Sequence, residues 1–210
     1  MRKPITVNRK PRIEFLREAM PIKENEIIEM FRKTGALFTG HFKLSSGLHS
    51  GQYLQCALVL QYPEYARRLG ESIADKFKDK DITCIVGPAL GGIIIAHEVA
   101  RALKTRCIFG EREEGKMTLK RGFKLSPQDR VLIVEDVITT GKSIKELIEV
   151  IKESGATIVG IGAIVDRSSE TIDFGCNAKP LIKLDIKTFT PDECPLCKRG
   201  TPVVKPGSRK

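Results

Sequence analysis

The 210-residue sequence lacks the features that would direct it to a membrane or to a secretory pathway. No apolar run approaches the roughly 20 residues that a membrane-spanning helix needs. The basic N-terminal stretch MRKPITVNRKPRIEF has no apolar segment behind its charges, so a secretory signal is not expected. The six cysteines form no regular framework, which is typical of a reducing compartment. We therefore expect a cytoplasmic protein without membrane attachment.

A concentration of basic residues is also missing from the body of the chain, although the net charge is +10. Residues 1–19 carry six Lys and Arg against two acids, and residues 191–210 carry five against two. The two ends thus hold seven of the ten excess charges. The small surplus that is left in the body fits a small anionic ligand at least as well as a nucleic acid. We expect no nucleic-acid partner.

Apolar segments alternate with helical patterns through most of the chain. ITCIV, TRCIF, VLIVE, TIVGIGAIV and PLIKLDIKTF indicate strands, and IIIAHEVARALK and KSIKELIEVIKESG indicate helices. Near-continuous apolar strands separated by helices predict an α/β fold, with a central parallel sheet and helices on both of its faces. Short β-prone pieces broken by Ser-Gly pairs predict a small N-terminal hood at about 22–62 that contains a hairpin-like flap.

These patterns divide the chain into three parts. Residues 1–21 form a basic arm, in which Met20 is an alternative start, residues 22–190 form one domain that includes the hood, and residues 191–210 form a C-terminal tail. Within the domain, GEREEGKMTLKRGFKLSPQD at 110–129 is about half charged and too long for an ordinary connection. We expect it to be a disordered insertion or a mobile lid; the alternative is a solvated surface loop.

The segment VLIVEDVITTGKS at 131–143 carries the main functional signal. It ends in Gly-Lys-Ser, as nucleotide-binding loops do, but Asp136 replaces the first glycine of that motif and Glu135 precedes it. The following turn leads into a helix whose N-terminal N–H groups suit a phosphate, and Gly141 permits a close backbone approach. Ionised carboxylates repel a polyphosphate, but they accept hydrogen bonds from sugar hydroxyls. The segment therefore predicts a sugar-phosphate site; alternatively, the two acids cap the next helix or pair with Lys142.

This segment resembles the phosphoribosyl-pyrophosphate signature of the type I phosphoribosyltransferases. From about residue 22 onward the chain is similar to the orotate-specific members, through FKLSSGLHSGQYLQ, GPALGG, EREEGKMTLKRGF and VDRSSE. The resemblance implies the family fold and the transfer of phosphoribosyl to orotate. It also implies Mg²⁺ carried by substrate oxygens with no firm protein ligand, and a homodimer in which the lid at 110–123 closes over the partner's site. The alternatives are a purine or xanthine phosphoribosyltransferase, and a regulator that senses phosphoribosyl pyrophosphate and binds nucleic acid.

The resemblance also implies roles for individual residues. The residues expected to bind phosphoribosyl pyrophosphate are Glu135, Asp136, Val137, Ile138, Thr139, Thr140, Gly141, Lys142, Ser143, Arg112 and Lys116, of which Asp136, Arg112 and Lys116 are expected to be catalytic. The residues expected to bind orotate are Thr139, Arg167, Tyr53 and Leu54. A guanidinium such as that of Arg167 can grip the orotate carboxylate bidentately. The alternative for Arg167 is an ion pair with Asp166 or Glu170.

Two segments depart from the family pattern. The lid has Glu113 where the family has a second basic residue, and Thr118 where it has a histidine. The GPALGG turn at 87–92, whose backbone is expected to approach the pyrophosphate, lacks the lysine that some members have there. The lid still offers Lys116, Lys120 and Arg121 for charge neutralisation.

The tail contains a lone C-x-x-C motif, Cys194 and Cys197. Such a motif supplies two of the four ligands of a zinc site, and Cys176 is a possible third. The three histidines, His41, His49 and His97, lie in other segments of the sequence. A structural metal is therefore one interpretation, and a tail disulfide or plain packing is favoured over it. Cys84 and Cys107 lie in apolar strands and are expected to pack in the core.

Overall fold

The computed structural model describes residues 22–44 and 46–206, so the basic arm and Met20 lie outside the described part. The strands are β1 (Leu37–Lys43), β2 (His49–Leu54), β3 (Cys84–Pro88), β4 (Arg106–Glu113), β5 (Lys116–Leu119), β6 (Arg130–Ile138), β7 (Thr157–Asp166), β8 (Ala178–Lys183) and β9 (Thr188–Phe189). The helices are α1 (Glu24–Lys33), α2 (Ala57–Leu60), α3 (Pro63–Asp75), α4 (Gly91–Leu103), α5 (Lys142–Glu153) and α6 (Pro195–Lys198). None of these helices is long and apolar enough to cross a membrane, a statement that covers the described residues alone.

The central sheet has six strands in the order β5-β4-β3-β6-β7-β8. All neighbouring strands are parallel except β4 and β5, which pair antiparallel. Successive side chains of a strand point to opposite faces of the sheet, so Ile85 joins the core beneath α3 and α4, whereas Val86 joins the core beneath α5. Burying each such side chain contributes about 1.5–3 kcal/mol. The predicted α/β fold with helices on both faces is confirmed.

A crevice opens where β3 and β6 separate. The two strands pair from Cys84↔Val131 to Val86↔Ile133, and beyond Ile133 strand β6 continues beside β7 alone. The chain leaves β3 toward β4 on one side and leaves β6 toward β7 on the other. Ligands of open α/β sheets bind at such a switch point, at the carboxyl ends of the strands.

The hood is a separate antiparallel sheet in the order β1-β2-β9. The hairpin of β1 and β2 confirms the predicted flap. The segment PLIKLDIKTF was expected to be one strand, and this was wrong: β8 joins the central sheet, and β9 crosses to pair with β2. The tail then returns along the hood, where Val204 bridges to Phe42.

The charged segment at 110–129 is not a loop over its first half. Strand β4 continues to Glu113, turns at Glu114 and Gly115, and returns as β5. Glu114 and Gly115 have φ angles of 49° and 84°, which is the geometry of a two-residue hairpin turn. Met117 on β5 is only 8% exposed and packs with the core beneath α5. The expectation of a loop was therefore wrong for residues 110–119, because ladder bonding and apolar packing attach a hairpin to the sheet edge; the lid itself stays a prediction.

Candidate active site

The acidic pair lies at the end of β6, beside the crevice. Glu135 is 8% exposed. Its Oε1 accepts a hydrogen bond of 3.0 Å from the backbone N–H of Asp136, whose Oδ1 accepts one of 2.7 Å from the N–H of Val137. Burial, and then the charge of Asp136, raise the pKa of Glu135 well above its ordinary value. Burial also raises the pKa of Asp136.

Burial of two adjacent acids therefore favours the neutral form of each carboxyl. The sequence interpretation of both acids as ionised acceptors stays a prediction. The other interpretations of the acids were wrong. Helix α5 has no side-chain cap, and the Lys142 ammonium lies 3.8 Å from Glu146 rather than pairing with Glu135 or Asp136.

The turn after β6 forms a small concavity. Its lining consists of Glu135, Val137, Ile138, Thr139, Thr140, Gly141, Lys142, Ser143 and Ile144. Gly141 has a φ of +70°, and a Cβ there would lie 2.8 Å from the Phe174 ring, so only glycine fits. The uncapped N-terminus of the 12-residue helix α5 follows directly. Free N–H groups at a helix N-terminus bind phosphate, and the structure brings every predicted turn residue to this place.

The GPALGG loop at 87–92 faces the acids across the crevice. It connects β3 to α4, and its Ala89–Leu90 peptide bond is cis. A Cβ on Gly91 would lie 2.8 and 2.9 Å from the two carboxylate oxygens of Asp136. The backbone of the loop can lie against Asp136 because residue 91 has no side chain.

Arg112 extends from β4 to the phosphate turn of its own chain. Its Nη2 lies 3.4 Å from the hydroxyl of Ser143, and its guanidinium pairs with Glu146 on α5. The charge of Arg112 also lowers the pKa of Glu135, against the larger effect of burial. The sequence reasoning missed Glu146, which holds both Arg112 and Lys142. The available signal was its position one helical turn after Lys142.

The other three cations of the lid differ in their pairing. Lys120 pairs with Glu113, and Arg121 pairs with Glu111 at 3.0 Å. Lys116 begins β5, is exposed, and contacts no carboxylate of residues 22–44 or 46–206. Of the cations proposed for the lid, Lys116 is therefore the one left available to a ligand.

Arg167 lies directly after β7, at the crevice. Its backbone N–H donates a 2.9 Å hydrogen bond to the carbonyl of Ile138. The side chain is half-buried, and burial lowers the pKa of its guanidinium. Asp166 accepts a hydrogen bond from the N–H of Ser168, and no ion pair joins Arg167 to any carboxylate in the described ranges. The alternative interpretation, an ion pair with Asp166 or Glu170, was wrong.

The hood supplies Tyr53 near Arg167. Burial raises the pKa of Tyr53, and the charge of Arg167 opposes that rise. The Tyr53 hydroxyl donates to Oε1 of Gln55 at 2.9 Å. Leu54 points the other way: it is 4% exposed and belongs to the core, which favours a packing role for its side chain. Thr139 lies exposed in the phosphate turn.

The arrangement of Cys194 and Cys197 differs from the favoured interpretation, which was a tail disulfide or plain packing. All six are free thiols, so the tail disulfide was wrong. His41 and His49, which are distant in sequence, lie beside Cys194 and Cys197, whereas Cys176, the possible third ligand, packs against the core beneath α5. Cys84 is fully buried, as expected, and Cys107 is partly buried.

The sequence is similar to those of known phosphoribosyltransferases. A profile of the phosphoribosyl transferase domain matches residues 59–190. An orotate phosphoribosyltransferase of Pelotomaculum thermopropionicum is 51% identical over 186 residues, which cover 89% of this chain and 98% of that protein. One of Thermotoga maritima is 52% identical over 183 residues, covering 87% and 98%.

Solved structures show the same fold. The orotate phosphoribosyltransferase of Aeropyrum pernix superposes with a TM-score of 0.65 at 25% identity, covering 75% of this chain and 93% of that one. The adenine phosphoribosyltransferase of Rhodothermus marinus, at 21% identity and a TM-score of 0.59, covers 77% and 100% and shares the fold. The acidic pair and the phosphate turn lie within the matched residues and border one crevice. The chain therefore belongs to the phosphoribosyltransferase family, among the orotate phosphoribosyltransferases.

Proposed function

We propose that this chain transfers phosphoribosyl from phosphoribosyl pyrophosphate to orotate, giving orotidine 5′-phosphate and pyrophosphate. The observation that carries the proposal is the half-buried Arg167 guanidinium, which has no carboxylate partner in the described ranges and lies at the same crevice as the acidic pair. A half-buried cation without a partner suits a ligand that carries a carboxylate, as orotate does. A purine has no carboxylate and would leave Arg167 uncompensated.

In the proposed reaction the ring nitrogen of orotate attacks the anomeric carbon of the ribose as the bond to pyrophosphate breaks. Positive charge builds up on the ribose and negative charge on the leaving group. The phosphate turn holds the 5-phosphate, and Glu135 and Asp136 accept hydrogen bonds from the ribose hydroxyls, so their negative charge lies next to the developing cation. Lys116 is expected to neutralise the leaving pyrophosphate, and Arg112, which lies beside Ser143 of the phosphate turn, adds positive charge there. Loop closure would exclude water from the activated sugar.

Mg²⁺ belongs to this proposal. Mg²⁺ prefers hard oxygen ligands, and we expect the oxygens of phosphoribosyl pyrophosphate to carry the ion, without a firm ligand from the protein. When bound, the ion supplies neutralising charge to the pyrophosphate oxygens.

The test is an assay of the purified protein with Mg²⁺ and phosphoribosyl pyrophosphate, in which the consumption of orotate is followed by ultraviolet absorbance. We expect Asp136→Asn to fold and to lose most of the turnover, because an amide cannot balance positive charge on the sugar. Asp75→Asn, the same change at an exposed position at the end of α3, is the matched control. Consumption of adenine, hypoxanthine or xanthine in place of orotate would overturn the substrate assignment.

We further propose that the chain acts as a homodimer in which the tip of the lid at 110–123 reaches the partner's site. Lys116, exposed at the start of β5, supports this arrangement. Arg112 does not, because it lies beside Ser143 of its own chain; we reassign Arg112 as a residue that acts in its own site.

Subunit exchange tests the dimer. One inactive variant carries Asp136→Asn and the other carries Lys116→Ala. If the lid acts in the partner's site, each mixed dimer has one intact site. Random pairing makes half of the dimers mixed, so roughly one quarter of the parent activity should return. Exchange is verified with chains of different mass. Exchange without any recovery would place Lys116 in its own site and would leave the transferase assignment untouched.

A cytoplasmic location is the last part of the proposal. Its support is the free state of all six cysteines, two of which, Cys194 and Cys197, lie close together. Thiols that close to one another remain reduced in a reducing compartment.

A further inference from the structure

Four side chains from three segments converge at one point of the hood. They are His41 on β1, His49 on β2, and Cys194 and Cys197 at either side of the start of α6. One nitrogen or sulfur atom of each residue lies within 4.8 Å of the corresponding atom of every other. His41, His49 and Cys194 are 3%, 6% and 0% exposed, and Cys197 lies at the surface. This cluster is outside the crevice, and the transferase reaction makes no use of it.

We propose that these four residues bind one Zn²⁺ in a closed, tetrahedral, structural site. Two thiolates and two imidazoles form a common set of structural zinc ligands, and the two-residue spacing between Cys194 and Cys197 is typical of such sites. The mixture of soft sulfur and imidazole nitrogen favours Zn²⁺ over Mg²⁺ or Ca²⁺. Four protein ligands leave no open position, so the ion has a structural rather than a catalytic role.

The distances fit a tetrahedron of this composition. With ordinary Zn–S and Zn–N bonds, a tetrahedral ion separates sulfur from nitrogen by about 3.6 Å and two nitrogens by about 3.3 Å. Sγ of Cys194 lies 3.5 Å from Nε2 of His41, and Sγ of Cys197 lies 3.6 Å from that atom and 3.2 Å from Nδ1 of His49. The two ring nitrogens are 2.9 Å apart. Each of these four separations is therefore within about 0.4 Å of the value that the ion requires, and the other two, from Cys194 to Cys197 and to His49, are at most 4.8 Å.

The outer contacts of His41 also fit. Its Nδ1 lies 2.7 Å from the backbone carbonyl of Thr201, so this nitrogen carries the proton and donates it. Nε2 then presents its lone pair to the cluster. A backbone carbonyl that orients a histidine in this way is the usual outer partner of a zinc ligand.

The site would fasten the tail to the hood. His41 and His49 lie on the two strands of the hairpin, and the cysteines belong to the segment that returns beside it. The contacts of this segment are otherwise few: β9 pairs with β2 at two residues, Val204 exchanges backbone hydrogen bonds with His41 and Lys43, and Ser50 donates to the carbonyl of Lys187. Because Tyr53 lies on the same strand as His49, the ion would also stiffen the strand that borders the crevice.

The competing interpretation is a cluster held by hydrogen bonds alone. The N–H of His49 Nδ1 could donate to Nε2 of His41, with the two thiols as weak donors. Cys194 and Cys197 could also oxidise to a disulfide outside a reducing compartment. Both alternatives predict a protein that is folded without metal, and both are outcomes of the experiment below.

The test uses the full-length chain expressed in zinc-supplemented medium and purified without chelator. We expect one zinc per chain by mass spectrometry of the metals, and its release after a mercurial reagent has titrated the thiols. Cys197→Ser and the double variant Cys194→Ser/Cys197→Ser should lose the metal, and their Tm should fall by roughly 5–10 °C. Cys176→Ser, the same change at a cysteine outside the cluster, should keep both the metal and the Tm.

Substitution by Co²⁺ keeps the test independent of the stability of the variants. Parent protein that is stripped of metal and loaded with Co²⁺ should show the visible absorption of tetrahedral cobalt thiolate, and zinc should displace it. Substoichiometric zinc in the parent, retention of zinc by the double variant, or a mass that reports a Cys194–Cys197 disulfide would each overturn the proposal. None of these readouts uses the transferase activity, so the zinc site and the proposed function can fail separately.

Discussion

Replacing Glu135 by glutamine should make the free protein more stable, although it removes a residue of the proposed site. Glu135 is almost fully buried, and burial together with the charge of Asp136 raises its pKa well above the ordinary value. A raised carboxyl pKa means that folding favours the neutral form. The stability that the neutral carboxyl of Glu135 contributes is complete below the pKa of the unfolded chain, about 4.3, and is lost as the pH rises through the pKa of the folded protein.

Coulomb's law gives the scale of the effect for two neighbouring carboxylates. Two unit charges about 4 Å apart at an effective dielectric of about 20 repel each other by about 4 kcal/mol, and proton sharing relieves part of this cost. A neutral glutamine removes the cost while its amide oxygen can still accept the bond from the Asp136 N–H. We expect Glu135→Gln to gain about 1–2 kcal/mol in the free energy of unfolding at pH 8, which corresponds to roughly 2–8 °C in Tm for a chain of this size.

The assay is urea unfolding of parent and variant from pH 4.5 to pH 8.5. The difference between them should be smallest at the acidic end and should grow with pH. Glu149→Gln is the control, because Glu149 is an exposed residue of α5 and its carboxylate pairs at 3.1 Å with the exposed Lys152. A variant that is less stable than the parent at pH 8, or a gain that is the same at every pH, would refute the account of the acidic pair.

Three further predictions concern the crevice. Arg167→Leu should raise the KM for orotate by roughly 30–100-fold, since a charge-assisted bidentate contact contributes about 2–3 kcal/mol, and should leave the KM for phosphoribosyl pyrophosphate nearly unchanged. Steady-state kinetics with each substrate varied in turn measure both constants. An equal rise of the two KM values would mean that Arg167 only supports the fold. Gly91→Ala should lower kcat/KM by more than about tenfold, because its Cβ would lie 2.8 Å from the Asp136 carboxylate. Gly51→Ala, whose Cβ would meet Leu196 at 3.8 Å and the carbonyl oxygen of Gly40 at 3.9 Å, should be nearly silent. Equal activities of the two variants would contradict the close approach of Gly91 to Asp136. Glu146→Gln should tighten the binding of inorganic phosphate by roughly two- to fivefold, because it frees Arg112 and Lys142 from a partly exposed carboxylate. Calorimetry measures the binding. Weaker binding by the variant would mean that Glu146 acts mainly by positioning these two cations.

Local patterns predicted those parts of the molecule in which neighbours in sequence act together. The strand, the acids and the turn at 131–143 are contiguous, so one segment contains the phosphate concavity almost completely. The parallel sheet was predictable because its strands are buried on both faces and are apolar throughout. The hairpin of the lid was obscured by its charges, although its Glu-Gly turn was a usable signal.

Features that depend on distant segments could not be predicted in this way. Cys194 and His41 are 153 residues apart, and nothing in either local sequence indicates that they meet. The pairing of Arg112 with Glu146 joins the lid to α5 across 34 residues. The raised pKa of Glu135 depends on how deeply the tertiary structure buries it, which the order of residues in the motif does not encode.

The acidic pair connects the stability of the protein to its proposed chemistry. The burial that raises the pKa of Glu135 and Asp136 also removes water from the place where a ribose cation would develop. A negative charge in that water-poor site stabilises the transition state more than it would in water. The same burial destabilises the free protein, because no cation of the described residues forms an ion pair with either acid. A developing cation on the bound sugar supplies that missing charge, and it does so most fully in the transition state. The residues that cost stability in the free protein are therefore the ones that favour the transition state over the ground state.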